Sequence, residues 1–128
     1  MDDSSLMHLA REYQERAFCP YSKFRVGAVL LDESGGVHGG CNVENASYGL
    51  TVCAERVAIQ SAIAAGVRKF TTMALVCDAD GPVAPCGACR QVLAEFAPDL
   101  RLLCAGQDGE VREWRLSELL PGRFELGE

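Results

Sequence analysis

Three thiols and one carboxylate fall in two short clusters of this 128-residue chain, Cys53-Ala54-Glu55 and Pro85-Cys86-Gly87-Ala88-Cys89. Cysteine thiolates are good zinc ligands, and three protein ligands leave one of zinc's four positions open. Water in an open position has its pKa lowered to about 7, which makes hydroxide available at neutral pH. A carboxylate two residues after the first ligand can shuttle protons without being a ligand itself. A fold that uses the clusters in this way must bring residue 53 and residues 86–89 to one point.

Other readings compete. Cys86 and Cys89 alone form a bare C-x-x-C, which serves equally as a redox pair or as half of a structural zinc site. Cys77 is a candidate fourth ligand that would close the site and leave it inert. A closed four-cysteine site usually pairs two C-x-x-C units. Cys53-x-Glu55 followed by Pro-Cys-x-x-Cys is the sharper signal.

Composition narrows the function classes. The length suits one domain over residues 1–128, and 48% hydrophobic residues supply a core. The net charge of −6 repels phosphate backbones, so nucleic acid is not an expected partner. No apolar run reaches the roughly 18 residues of a membrane span. The first residues, Met-Asp-Asp-Ser-Ser, lack the basic and apolar regions of a signal peptide, which points to the cytoplasm. Seven cysteines in such a chain suit metal ligation and buried thiols rather than disulfides. Cys19, Cys41, Cys77 and Cys104 are expected to act as small buried hydrophobes.

The periodicities give an order of elements. Leu6, Leu9, Ala10, Tyr13 and Ala17 share a helical face, with Ser4 or Ser5 as the cap and His8 outside the stripe. Residues 26–31 and 37–43 read as a hairpin around Glu33-Ser34-Gly35-Gly36, with His38 solvated near the turn. A helix is expected from near Thr51 to Gly66, apolar nearly all round and hence buried. Cys53 and Glu55 would sit at its inner, positive end. Residues 71–77 form a central strand. A helix from Cys86 places Cys86 and Cys89 one turn apart. Residues 100–105 and 111–115 are strands joined by five residues, too few for a parallel crossover, so they should be antiparallel. Ser117 is the expected cap of a last short helix. The sum is an α/β chain: three α/β/α layers with a five-stranded mixed sheet whose last two strands are antiparallel.

Zinc deaminases use such ligands, three cysteines being one variant, with a non-ligating glutamate as general acid and base. Residues 20–28 read PYSKFRVGA, residues 40–56 read GCNVENASYGLTVCAER, and residues 85–96 read PCGACRQVLAEF. Together they resemble the homotetrameric cytidine deaminases of pyrimidine salvage, from about residue 6 to Leu119-Leu120-Pro121. Blasticidin S deaminase resembles the chain around the cysteines, but is not expected to carry Asn42-Val43-Glu44-Asn45.

The resemblance implies hydrolytic deamination of cytidine and 2′-deoxycytidine, with one Zn²⁺ per chain held by Cys53, Cys86 and Cys89 and with Glu55 as the catalytic proton carrier. It implies Phe24 against the pyrimidine ring, Ala54 against the base, and Asn42 and Glu44 on the sugar hydroxyls. It also implies a homotetramer, with Ala46, Tyr48 and Phe124 as contacts across subunits. Three thiolates leave a zinc site with net negative charge, which weakens the metal as a Lewis acid. Arg56, one residue after Glu55, is the candidate cation that corrects this.

Overall fold

The computed structural model describes residues 1–126. Gly127 and Glu128, the end of the aperiodic tail, lie outside the described residues.

The chain opens with α1 (Asp3–Gln14), capped by Asp2, whose carboxylate accepts from the Ser5 backbone N–H at 2.8 Å. The cap is therefore two residues earlier than Ser4, and Ala17 lies beyond the helix end. Leu6 and Ala10 are the buried apolar residues of the helix, as its spacing predicts. Strands β1 (Val26–Asp32) and β2 (Val37–Cys41) follow as the expected hairpin, with Gly35 in the left-handed region at φ +91°. Next come a 3₁₀ turn at Tyr48–Leu50, helix α2 (Ala54–Ala64) and strand β3 (Phe70–Cys77). Helix α3 (Gly87–Phe96), β4 (Arg101–Ala105), β5 (Val111–Arg115) and α4 (Leu116–Leu119) complete the order.

The five strands form one mixed sheet in the order β2-β1-β3-β4-β5. β4 and β5 are antiparallel, as their short connection requires. The parallel pair is the one before it, β3 with β4, a step that the description "last two antiparallel" leaves out. Side chains alternate across the sheet. Ala28, Leu30, Met73, Leu75, Leu102 and Cys104 pack with α2, α3 and α4 on one face. Val29, Ala74, Val76 and Ala105 pack with Leu6 and Ala10 of α1 on the other. These two cores make the three layers. A fully buried side chain such as Ile59 or Leu93 stabilises the fold by about 1.5–3 kcal/mol.

Two glycines set the layer spacing. A Cβ on Gly27 would lie 2.2 Å from the Ala10 carbonyl oxygen, and one on Gly40 would lie 2.5 Å from the Ala58 nitrogen. Their absence lets α1 and α2 lie close on the strands.

Several local expectations change. α2 starts at Ala54 rather than Thr51, because Thr51 ends the 3₁₀ turn and Val52 bridges Val43. It buries one face, with Ala54, Glu55, Ala58, Ile59 and Ala62, and leaves Gln60, Ser61 and Ala64 exposed, so it is not buried all round. Gly66 lies past its end at φ +93°, in the usual place for a helix-stopping glycine. Ser117 does not cap α4; the Glu118 carboxylate accepts from the Arg115 backbone N–H at 2.8 Å. Cys77 and Cys104 are buried as expected, whereas Cys19 and Cys41 are only half-buried. His38 is not solvated. Its side chain is 17% exposed, its Nε2 lies 2.9 Å from the Asp32 carboxylate, and its ring meets Phe70 edge-on. A register shift between Leu31 and Asp32 accompanies this pairing.

Candidate active site

Cys53 is the N-cap residue of α2 and Cys86 the N-cap residue of α3, and neither side chain makes a capping hydrogen bond. Cys89 lies one turn further, fully buried in the first turn of α3. Two positive helix ends therefore meet at the sulfurs, which favours thiolate over thiol. The three Sγ atoms lie within 4.8 Å of one another, and the Cys86 and Cys89 sulfurs are 3.4 Å apart. Tetrahedral zinc with Zn–S near 2.3 Å needs sulfurs about 3.8 Å apart. The trio thus fits one zinc ion after small adjustments. Among the described residues it is the one such cluster, and Cys77 is not in it.

The charges around the sulfurs suit a cation. The neighbouring Cys89 side chain and Arg56, which adds a donor and a positive charge, both favour the Cys53 thiolate. Together they hold Cys53 down at about 5 against the opposing effect of burial. The neighbouring Cys53 side chain, with burial, pushes Cys89 far up. Arg56 places Nη2 3.6 Å from the Cys53 sulfur and 3.4 Å from the Thr51 carbonyl oxygen. Its Nε is buried without a partner.

Glu55 sits beside this cluster and is only 6% exposed. Burial pushes its carboxyl up to about 7, with the Cys53 charge acting in the same direction, while its own backbone N–H and Arg56 pull the other way. A carboxyl poised near neutrality can accept and return a proton at physiological pH.

Cys53, Cys86 and Glu55 line a cleft of about 520 Å³, a size that suits a small organic ligand. Phe24, Asn42, Glu44, Cys53, Ala54, Glu55 and Cys86 are all in its wall. Asn42 is buried, accepts from the Val26 backbone N–H at 2.9 Å and donates to the Phe24 carbonyl oxygen at 2.8 Å. Glu44 accepts from the Tyr21 and Ser22 backbone N–H groups at 3.0 and 3.1 Å and from the Ser22 hydroxyl. Those hydrogen bonds hold Glu44 below the usual carboxylate range. Both side chains thus cap the loop before β1. Lys23 in that loop takes the left-handed conformation at φ 62°, and its N–H reaches the Cys19 carbonyl at 3.0 Å.

Ala46, Tyr48 and Phe124 are not brought to the cleft. Ala46 and Tyr48 lie on an exposed segment after β2, where Tyr48 meets Tyr21 edge-on with centroids 6.3 Å apart. Phe124 is 69% exposed on the tail, and its carbonyl oxygen accepts from Gln91 Nε2 at 3.1 Å. Sequence reasoning missed Ser22, Thr51, Val83 and Arg90, which also line the cleft. Pro20-Tyr21-Ser22 was a visible turn signal for the first. Arg90, next to Cys89, had no local signal.

The comparisons with known proteins agree with this geometry. Residues 1–104 match the family model described as the cytidine and deoxycytidylate deaminase zinc-binding region. A cytidine deaminase of Sporosarcina psychrophila is 46% identical over 97% of this chain and 92% of its own length. One from Halalkalibacterium halodurans is 49% identical over 97% of this chain and 95% of its own length. The crystal structure of cytidine deaminase from Burkholderia pseudomallei superposes with a TM-score of 0.94 at 48% identity, covering 97% of this chain and all of that one. The family model covers most of the chain and the relatives match nearly all of it, so the chain belongs to the family of zinc-binding cytidine and deoxycytidylate deaminases.

Proposed function

We propose that this chain is a zinc-dependent cytidine deaminase that hydrolyses cytidine to uridine and ammonia, and 2′-deoxycytidine to 2′-deoxyuridine. One observation carries the reading: three thiol sulfurs converge, and two of them, those of Cys53 and Cys86, share the wall of one cleft with the buried Glu55 carboxyl. The names of the relatives support the nucleoside as substrate. When bound by Cys53, Cys86 and Cys89, zinc supplies the Lewis acidity that makes water a nucleophile near neutral pH.

The rest of the chemistry is proton traffic, and Glu55 carries it. It accepts a proton from the attacking water and passes it to ring N3, then takes the remaining proton of the new C4 hydroxyl and delivers it to the amine, which leaves as ammonia. A C–O bond forms at C4 and the C–N bond breaks. An amine leaves poorly until protonated, so a carboxyl with its pKa raised to about 7 suits both steps.

The cleft walls bind and orient. Phe24 takes the pyrimidine ring and Ala54 takes the edge of the base. Asn42 uses one donor and one acceptor internally, which leaves an N–H and a lone pair for a sugar hydroxyl. Glu44 keeps part of the acceptor capacity of its two oxygens in the same way.

The same reading takes the chain as one catalytic domain that works as a homotetramer in pyrimidine salvage. Phe18, Tyr21, Val43, Tyr48 and Leu50 expose apolar surface that supports self-association. Ala46, Tyr48 and Phe124 would then complete neighbouring sites. The cysteines are free, which suits the reducing cytoplasm. No helix among the described residues is long and apolar enough to cross a membrane.

Ammonia release from cytidine, with and without a strong chelator, tests the function. Zinc-loaded protein should release ammonia, lose activity with the metal and regain it on zinc addition. Zinc-loaded protein that leaves cytidine unchanged would overturn the reading.

A further inference from the structure

Arg90 lines the cleft but has no part in the chemistry above. It follows Cys89 on α3, and its backbone N–H donates to the Cys86 carbonyl at 3.0 Å. Its side chain turns back along the helix. Nε donates to the Pro85 carbonyl oxygen at 2.7 Å, and Nη1 donates to the Leu119 carbonyl oxygen at 3.0 Å. Pro85 is fully buried and directly precedes the ligand Cys86. Leu119 is the last residue of α4, where the chain enters its C-terminal tail. The next residue, Gln91, holds the Phe124 carbonyl further along that tail at 3.1 Å.

The peptide that joins Pro85 to Cys86 fixes where the Cys86 sulfur points. The Cys86 side chain is exposed and makes no capping bond, so its direction depends on that peptide. A guanidinium donates from a rigid planar fork. One Arg90 group therefore holds the Pro85 and Leu119 carbonyls at a set separation. A lysine ammonium, a point charge on a flexible stem, cannot reproduce this. We propose that Arg90 is a positioning residue that clamps the Pro85–Cys86 peptide to the end of α4, so that retention of zinc and seating of the C-terminal tail are coupled. This rests on the zinc reading of the three sulfurs.

The test uses the full zinc-loaded chain, its Arg90→Met and Arg90→Lys variants, and Arg101→Met as a control that breaks the surface pairs to Asp3 and Glu113. Zinc content of the parent, measured first, tests the metal reading by itself. Zinc transfer to a chromogenic chelator and amide exchange of residues 120–126 then test the clamp. Arg90→Met should release zinc about 10-fold faster or more, the usual cost of losing a group that orients a ligand. Its tail amides should exchange faster, while Arg101→Met leaves both readouts unchanged. Where Arg90→Met does not fold, Arg90→Lys must still release zinc faster than the parent. Release at the parental rate, or acceleration no greater than in Arg101→Met, overturns the proposal. Faster release with unchanged tail exchange overturns the coupling.

Discussion

The Nη2 atom of Arg56 lies 3.6 Å from the Cys53 sulfur, three residues back at the start of the same helix. On the proposed zinc reading, a fixed cation there would offset the surplus negative charge of three thiolates. Arg56→Gln should lower turnover and move the acidic limb of the pH–rate profile upward, because water beside a more negative site ionises at higher pH. Cys53→His in that background removes one negative charge and should restore part of the activity. An unchanged pH profile in Arg56→Gln at full zinc occupancy would show that Arg56 does not tune the site.

Glu55→Gln keeps shape and burial but cannot carry protons. Turnover should fall by at least about 10², the smallest contribution expected of a general acid–base group. Zinc content, read by metal analysis, should stay at one per chain. Turnover like that of the parent would remove Glu55 from its role.

The hairpin turn should show acid sensitivity. His38, then Ser34 and the Gly36 backbone N–H, hold the Asp32 carboxyl far below its usual range. Such a carboxyl contributes stability in full above its unfolded value near 3.9 and loses that contribution as pH falls toward the folded value. Asp32→Asn should therefore lower Tm at neutral pH, and the Tm gap to the parent should begin to narrow below about pH 4. A gap that stays constant down to pH 3 would mean the pairing contributes nothing through ionisation.

Gly40→Ala should damage both stability and activity. Its Cβ would lie 2.5 Å from the Ala58 nitrogen and 2.7 Å from the Ala54 carbonyl oxygen, so the first turns of α2 must shift. Overpacking of this kind costs about 1–3 kcal/mol, and the displaced turn carries Glu55. Gly49→Ala is the control, since a Cβ there meets nothing within 4 Å. Equal denaturation midpoints for the two variants would refute the packing argument.

Phe124→Ala should chiefly raise the Kd for cytidine and leave zinc content intact. Phe124 is exposed in the single chain, and on the homotetramer proposal it would reach the substrate of a neighbouring copy. Light scattering that finds an active monomer would sink the shared-site idea.

What could be read from the sequence follows from how local each signal is. Cys53, Glu55, Cys86 and Cys89 announce themselves because the chemistry needs those side chains at short, fixed spacing. The strands follow from short apolar runs between turn signals, and α3 from the helical spacing of Cys89, Val92, Leu93 and Phe96. The cap of α1 was missed because Asp2, Ser4 and Ser5 are all competent caps, and packing of Leu6 and Ala10 selects among them. The burial of His38 depends on Phe70 and on a register shift at Asp32, neither of which is local. The contact of Arg90 with Leu119 spans 29 positions and left no mark near Arg90. Asn42 and Glu44 were placed in the cleft, but their loop-capping bonds depend on the chain path through Ser22 and Val26.

The parallel pairing of β3 with β4 has a kinetic consequence. Cys53 precedes β3, Cys86 and Cys89 follow it, and β4 can dock only after the chain has passed through loop 78–85 and α3. Long-range closure of this kind is slow compared with forming a helix or hairpin. A chain that meets zinc before closure can offer it only the Cys86–Cys89 pair. The third sulfur would arrive with the finished topology, so on the zinc reading tight retention should arise together with the last long-range step of folding. The metal would then work as a checkpoint: a misthreaded chain would hold it loosely, and the time course of chelator resistance during refolding would become a clock for sheet closure.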